Sequence, residues 1–216
     1  ATLPGGKPAA RAEVVERLCR EWVPRYLGTG VEIQVLTPML RGSLGAHNLN
    51  TLLQQALNPA SAQRAELTVG ERVYRVGDRV IHRRNNYELN VFNGDIGRIT
   101  AIDNTELRLE VSFFPDGRQV GYSRDQIAEL ELAYAITVHK AQGSEFDVVI
   151  LPVLGQHFRM LFRNLLYTGL TRGRRLAVLV GSRQALAMAV RNRDTSRRQT
   201  ALARLIRDYA GGAVSP

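Results

Sequence analysis

Residues 137–152 read TVHKAQGSEFDVVILP, a polar stretch set between two apolar runs. AYAI (133–136) precedes it and DVVILP (147–152) ends it. Short apolar, β-branched runs without alternation mark strands buried on both faces, the habit of parallel sheets covered by helices. Ligands of an open parallel sheet gather beyond the carboxyl ends of its strands, and HKAQGSEFD is expected at such an end. Gly143 would let backbone approach a ligand closely. Gln142 and Glu145 offer partners to a ribose or a phosphate-bound water, and Thr137, His139 and Lys140 offer donors to phosphate. A polar turn of this kind is, by itself, commonly just solvated.

A second stretch changes that balance. YTGLTRGRR (167–175) puts Thr171 and Arg172 at the end of a short helix before another strand, RLAVLVG. An arginine fork binds phosphate oxygens in pairs, and one held at a domain edge can reach a terminal phosphate. The bland alternative is a basic helix end that favours the helix dipole.

Working outward, RAEVVERLCREWVPRYL has helical spacing, with Cys19 and Trp22 read as core. VEIQVLTP is a strand stopped by Pro38, and GSLGAHNLNTLLQQALNP turns through glycines into a helix. From Glu66 to Glu131 the texture is short strands and close turns (DRVIHRR, DIGRITAID, ELRLEVSFF, QVGYSR), which suits a small antiparallel barrel. SRQALAMAVRN is a helix with Ser182 as N-cap, and residues 195–210 read as a final basic helix. The expected organisation is an edge or linker at 1–11, an α/β parallel-sheet domain at 12–65 and 132–210, and a β insert at 66–131.

Lys and Arg number 29 against 20 Asp and Glu, a net charge of +9, which favours phosphate-bearing partners. One cysteine excludes an internal disulfide and a cysteine metal cluster, so no metal site is expected. No apolar run approaches the ~20 residues of a membrane span, and no signal-peptide pattern is present. A cytoplasmic protein is expected.

The two motifs together resemble motifs V and VI of superfamily 1 helicases, nearest to the RecD-type, 5′→3′ branch. QVLTPMLRGSLGAHNLNTLLQ (34–54) resembles the opening of that family's second motor domain, and GDRVIHRRNNYELNVFNGDIGRI (77–99) the start of its SH3-like insert. The resemblance implies a RecA-like parallel-sheet domain interrupted by an SH3-like antiparallel barrel. It implies an ATP-dependent DNA helicase, related to the exodeoxyribonuclease V alpha subunit, that acts in DNA repair and recombination. Carried over residue by residue, Arg172 is the arginine finger and Arg41 a second γ-phosphate arginine. Gln142, Gly143 and Glu145 lie on the nucleotide side, Thr137 and His139 on the DNA side.

In RRNNYELNVFNGD, Arg83, Asn86, Tyr87 and Phe92 are candidate single-strand contacts, combining basic groups with aromatic platforms. The alternative is that Phe92 is core and Asn93-Gly94 a hairpin turn. Neither a P-loop nor an acidic Mg²⁺ motif occurs in the chain. ATP and Mg²⁺ are therefore expected mainly on a first motor domain of the same polypeptide, and the chain alone is expected to lack ATPase activity. Single-stranded DNA is the expected partner. A different class of reading stays open, a non-enzymatic nucleic-acid-binding module with the barrel as reader.

Overall fold

The first helical segment already departs from simple periodicity. A computed structural model of the chain describes residues 8–154 and 162–192. Within it α1 (Pro8–Arg17) runs through a π-turn (Leu18–Trp22) into α2 (Val23–Leu27). Val23 N–H donates to Leu18 O, five residues back. Pro24 has no N–H for the next bond of the ladder. The widened turn rotates Val23 into the core at 3% exposure and Trp22 out of it at 45%, with Arg17 over the indole ring. Trp22 is thus not core, whereas Cys19 is, and burial pushes its thiol up to about 12. α1 begins at Pro8, inside the edge expected at 1–11; residues 1–7, the final basic helix at 195–210, and Arg193, Arg197, Arg198, Arg204 and Arg207 lie outside the described residues.

β1 (Ile33–Thr37) ends at Pro38, and a glycine-rich loop leads to α3 (Ala46–Leu57). That loop is tight at Gly45, where a Cβ would come within 2.4 Å of the Arg41 carbonyl carbon. Then come β2 (Glu66–Val69), β3 (Arg72–Arg75), β4 (Arg79–His82), β5 (Ile96–Asp103), β6 (Arg108–Phe113), β7 (Gln119–Tyr122), the short α4 (Arg124–Ile127) and β8 (Leu130–Leu132). Last are β9 (Ala135–Thr137), β10 (Phe146–Val153), α5 (Arg163–Leu170), β11 (Gly173–Gly181) and α6 (Arg183–Arg191). Ser182 caps α6 as its position suggests, its hydroxyl accepting from Ala185 N–H at 3.1 Å.

The parallel sheet has the order β11-β10-β1-β9, and the antiparallel sheet the order β7-β6-β5-β4-β8, beside the β2–β3 hairpin. The protein is α/β, a RecA-like parallel sheet carrying an SH3-like antiparallel β insert. Strand alternation splits the parallel sheet into two faces. Leu36, Val149 and Leu151 pack with Leu166 and Ala185 on one face. Val35, Val148 and Ile150 pack with Val15, Leu18, Leu49 and Leu53 on the other. A third core of Tyr74, Val80, Val111, Phe113, Tyr122 and Leu130 fills the insert. Ile81 and Ile96 belong to the insert by sequence but join the first core.

A polar joint fastens the two parts. Asp78 is fully buried. Its carboxylate accepts from Gln54 Nε2 (2.6 Å), Asn58 Nδ2 (2.6 Å), Arg75 N–H (2.7 Å) and Tyr134 Oη (2.8 Å). The return segment between β8 and β9 is pinned as well. Gln34 Nε2 donates to Ala133 O (3.1 Å) and Tyr134 O (3.2 Å). Asn50 donates to Leu132 O and Ala135 O at 2.9 Å each, and its Oδ1 accepts from Ala135 N–H at 2.8 Å. Buried Arg79 donates to Glu32 at 2.6 Å, between the rings of Phe114 and Phe146.

Removing the Asp78 carboxylate takes the acceptor from four donors, of which the Gln54 and Asn58 amides are buried. At roughly 1–3 kcal/mol for each unsatisfied buried group, Asp78→Ala should destabilise the chain by about 3 kcal/mol or more in urea melts. A loss below about 1 kcal/mol would mean that the carboxylate does not hold the joint together.

A second prediction concerns pH. His82 is fully buried in the insert, its Nε2 3.2 Å from Glu129 and its Nδ1 3.2 Å from Tyr122 Oη. Burial pushes its imidazole below the ordinary range, opposed by the charges of Glu129 and Asp95 and aided by Arg84. The fold therefore favours the neutral ring. That contribution is complete above the unfolded value, ~6.5, and is lost as pH falls through it, because the unfolded chain binds a proton the folded chain resists. His82→Gln should flatten the fall of Tm between about pH 6.5 and 5. An unchanged slope would assign that fall to other groups.

Candidate functional site

The polar stretch at 138–145 connects opposite edges of the parallel sheet. It leaves β9 at Thr137, whose partner across the sheet is Thr37, the last residue of β1. It enters β10 at Phe146, paired with Gly173, the first residue of β11. Only its start lies at a carboxyl end. Gln142–Glu145 lie at the amino end of β10, which corrects the sequence expectation. A short crossover between parallel strands must return to the opposite edge. It does so through successive turns: Ala141 N–H donates to Thr137 O, Gln142 N–H to His139 O and Ser144 N–H to Ala141 O. Gly143 takes φ +87°, a conformation glycine adopts without strain, with open space around its Cα.

At the amino edge this brings Arg172 against the crossover. The end of α5 and start of β11 hold it, with Arg172 N–H donating to Gly169 O and Phe146 N–H to Arg172 O. The half-buried guanidinium donates to Ser144 O (3.2 Å), Thr168 O (3.3 Å) and Thr171 Oγ1 (3.4 Å). All three acceptors are neutral, so the fork keeps its charge for an anion. Gln142 and Gly143 are exposed beside it, and exposed Glu145 accepts from Arg174 Nε at 3.0 Å.

At the carboxyl edge, Thr137 is half-buried and its Oγ1 accepts from Lys140 N–H at 3.3 Å. His139 and Arg41 are exposed. Arg41 follows β1, and the β1–β10 register carries Thr37 level with Pro152. Six steps along β10 separate Pro152 from Phe146, about 20 Å at the rise of a strand. The fold therefore does not bring Arg41 beside Arg172.

The insert contributes a built loop at 83–95, closed by an Asn86–Val91 bridge. Tyr87 (79% exposed) and Phe92 (43% exposed) stand edge to face at its tip, 6.2 Å between centroids. Phe92 is therefore not core. Asn86 is engaged at both ends, donating to Glu129 Oε2 (3.1 Å) and accepting from Leu89 N–H (3.1 Å). Arg84 also donates to Glu129, and that bond holds the Glu129 carboxyl below the usual carboxylate range. Asn86 thus braces the loop from inside, while Arg83 leans outward to Glu131 at 3.2 Å.

Two acids, Glu129 and Glu131, organise this region and were not singled out as site residues in the sequence. The signal available was acids alternating with leucines in a strand beside RRNN. Burial works to raise the Glu131 carboxyl, but the Lys140 hydrogen bond and the charges of Lys140, Arg83 and Arg72 hold it below the usual range. Among the described residues no cluster of His, Cys, Asp or Glu could hold a metal ion, and no helix is long and apolar enough to cross a membrane.

Comparison with known proteins agrees with these features. Residues 49–113 match the family described as the ATP-dependent RecD-like DNA helicase SH3 domain, and 132–180 the UvrD-like helicase C-terminal domain. The chain is 39% identical over 185 residues to the ATP-dependent RecD2 DNA helicase of Deinococcus radiodurans, covering 86% of this chain and 25% of that protein. It is 30% identical over 143 residues to the RecBCD enzyme subunit RecD of Buchnera aphidicola, covering 66% and 23%. The chain spans about a quarter of the length of these curated relatives. A Bacteroides Pif1 helicase crystallised with ADP-AlF3 and ssDNA shares the fold, with TM-score 0.54 at 17% identity over 97% of this chain and 55% of that one. The chain belongs to the RecD-type superfamily 1 DNA helicases and corresponds to their C-terminal part.

Proposed function

We propose that the chain is the second motor domain of an ATP-dependent 5′→3′ DNA helicase, working in the cytoplasm in DNA repair or recombination. It would pair with a first motor domain of the same polypeptide. The observation that carries this is the crossover at 137–145. It links the amino edge, where Arg172 holds Ser144, to the carboxyl edge at Thr137, with Lys140 between them bonded to Glu131 of the insert, within one short segment.

The donors at the amino edge suit phosphate oxygens: a guanidinium fork with neutral partners, an exposed amide at Gln142, and open backbone at Gly143. Glu145 is paired with Arg174, and the acids that hold Mg²⁺ are assigned to the first motor domain because this sequence carries no acidic Mg²⁺ motif. ATP with Mg²⁺ supplies the phosphoanhydride whose cleavage drives the motor. Arg172 neutralises charge at the terminal phosphate as the two domains close, and Gln142 and Glu145 orient the approach. The crossover transmits closure to Thr137 and His139, which grip the strand. Tyr87 and Phe92 supply stacking faces, worth ~1–3 kcal/mol per base. Arg41 reaches a nucleotide only if the first domain spans the sheet's carboxyl edge; in this geometry it belongs with the DNA side.

The test uses Arg172 variants of the chain joined to its first motor domain. Arg172→Ala should lower DNA-stimulated ATP turnover by roughly 10²-fold, about 3 kcal/mol of barrier, with strand binding and melting little changed. Arg172→Lys should fail almost as badly, because it keeps the charge and loses the fork. A helix-end role alone gives about 0.3–1 kcal/mol of stability and normal turnover, and that result would end the finger assignment. The 216-residue chain by itself should release no phosphate above background. Stimulated turnover by the pure chain would overturn the half-motor reading.

A further inference from the structure

One cluster in the cleft between the insert and the parallel sheet is not used by the function proposed above. Glu131 gathers three cations from three separate elements. Arg72 Nη2 at the start of β3 lies 3.4 Å from its Oε1, Arg83 Nε beyond β4 lies 3.2 Å from the same oxygen, and Lys140 Nζ in the crossover lies 2.8 Å from Oε2. Three cations around one carboxylate leave the cluster with an excess of positive charge. The cluster is accessible, with side-chain exposures of 41% for Arg72, 46% for Arg83 and 32% for Lys140. All four residues line one cavity of about 820 Å³, which Leu40, His47 and Thr137 also line.

The geometry points to a phosphodiester seat formed by Arg72, Arg83 and Lys140, which Glu131 fills with its own carboxylate until a DNA phosphate takes its place. The inference rests on the reading of this face as a single-strand grip and adds residues to it. A carboxylate and a phosphate present the same kind of paired anionic oxygens to guanidinium and ammonium donors. Glu131 has a second use. It holds three long cationic side chains in one place before the strand arrives, which lowers the cost of ordering them on binding. It also sets the affinity, since the strand must compete with it. The seat sits directly on Lys140, whose backbone N–H is bonded to Thr137, so a phosphate there touches the crossover itself.

The experiment measures anisotropy of a labelled oligothymidylate and of an abasic strand of equal length on the 216-residue chain, across a salt series. Arg72→Gln and Lys140→Gln should weaken both strands alike and each remove about 0.7 from the slope of log K against log salt. Tyr87→Ala should weaken only the base-bearing strand. Glu131→Gln should tighten both strands by ~3-fold or more and steepen the slope, because it removes the competitor and leaves the cations. Arg72→Gln changes a half-exposed group, so it remains informative if Glu131→Gln melts early. If neither strand binds the unaltered chain at low salt, the DNA-grip reading itself fails. If both bind, Tyr87→Ala weakens the base-bearing strand and the Arg72 and Lys140 variants change nothing, the grip stands and the seat is overturned. Weaker binding by a well-folded Glu131→Gln would also overturn it, since a merely bracing acid predicts that sign.

Discussion

The buried carboxylate of Asp78 is the constraint on which the relation of the two sheets depends. An ionised group taken out of water is costly unless its lone pairs are filled. Here they are filled by α3 through Gln54 and Asn58, by the turn before β4 through the Arg75 amide, and by the return segment through Tyr134. None of those donors is a formal cation. Each is directional, so the carboxylate fixes three chain segments at defined angles where a hydrophobic contact would allow sliding. Gln34 and Asn50 do the same for the backbone that re-enters the parallel sheet. Ile81 and Ile96 add apolar packing across the same boundary.

A joint built this way ties the insert to the parallel sheet through directional bonds. The aromatic pair at the tip of the 83–95 loop is braced by Glu129 through Arg84 and Asn86, and the loop's far side by Arg118, which donates to Asn90 O. The rings are exposed without being loose. The bracing bonds tie the loop that carries the rings to the segment before β8 and to Arg118.

Much of this was legible in sequence and some was not, for identifiable reasons. The parallel strands were readable because DVVILP and RLAVLVG are apolar on both faces, and the insert because turn residues recur between short alternating runs. Ser182 was readable as a cap because its chemistry is local. Trp22 misled because Val15, Leu18, Cys19 and Trp22 share a face only at the α period, and the π-turn before Pro24 breaks it. The edge holding Gln142–Glu145 was misplaced because a polar run between two strands does not say where, within it, the chain crosses the sheet. The Asp78 joint was invisible: its partners stand 20 to 56 residues away except for one amide, and no periodicity links them.

The two arginines of RRNN show how the same residue type takes different work from its neighbours. Arg84 is 70% exposed along its side chain, yet its charge is taken by Glu129, a nearly buried carboxylate with Asn86 already bound to it. Arg83, one residue earlier and just beyond β4, shares Glu131 with Arg72 and Lys140. One acid therefore meets a cation that shapes a loop, and the next acid, two residues on, meets cations in excess of what it can neutralise. Glu129 lies just before β8 and Glu131 within it, two residues apart, with Leu130 between them in the insert core. The surplus of charge falls on the side facing the crossover. Lys140 belongs by sequence to the crossover and bonds Glu131 of the insert, so the surplus charge is shared between the two parts.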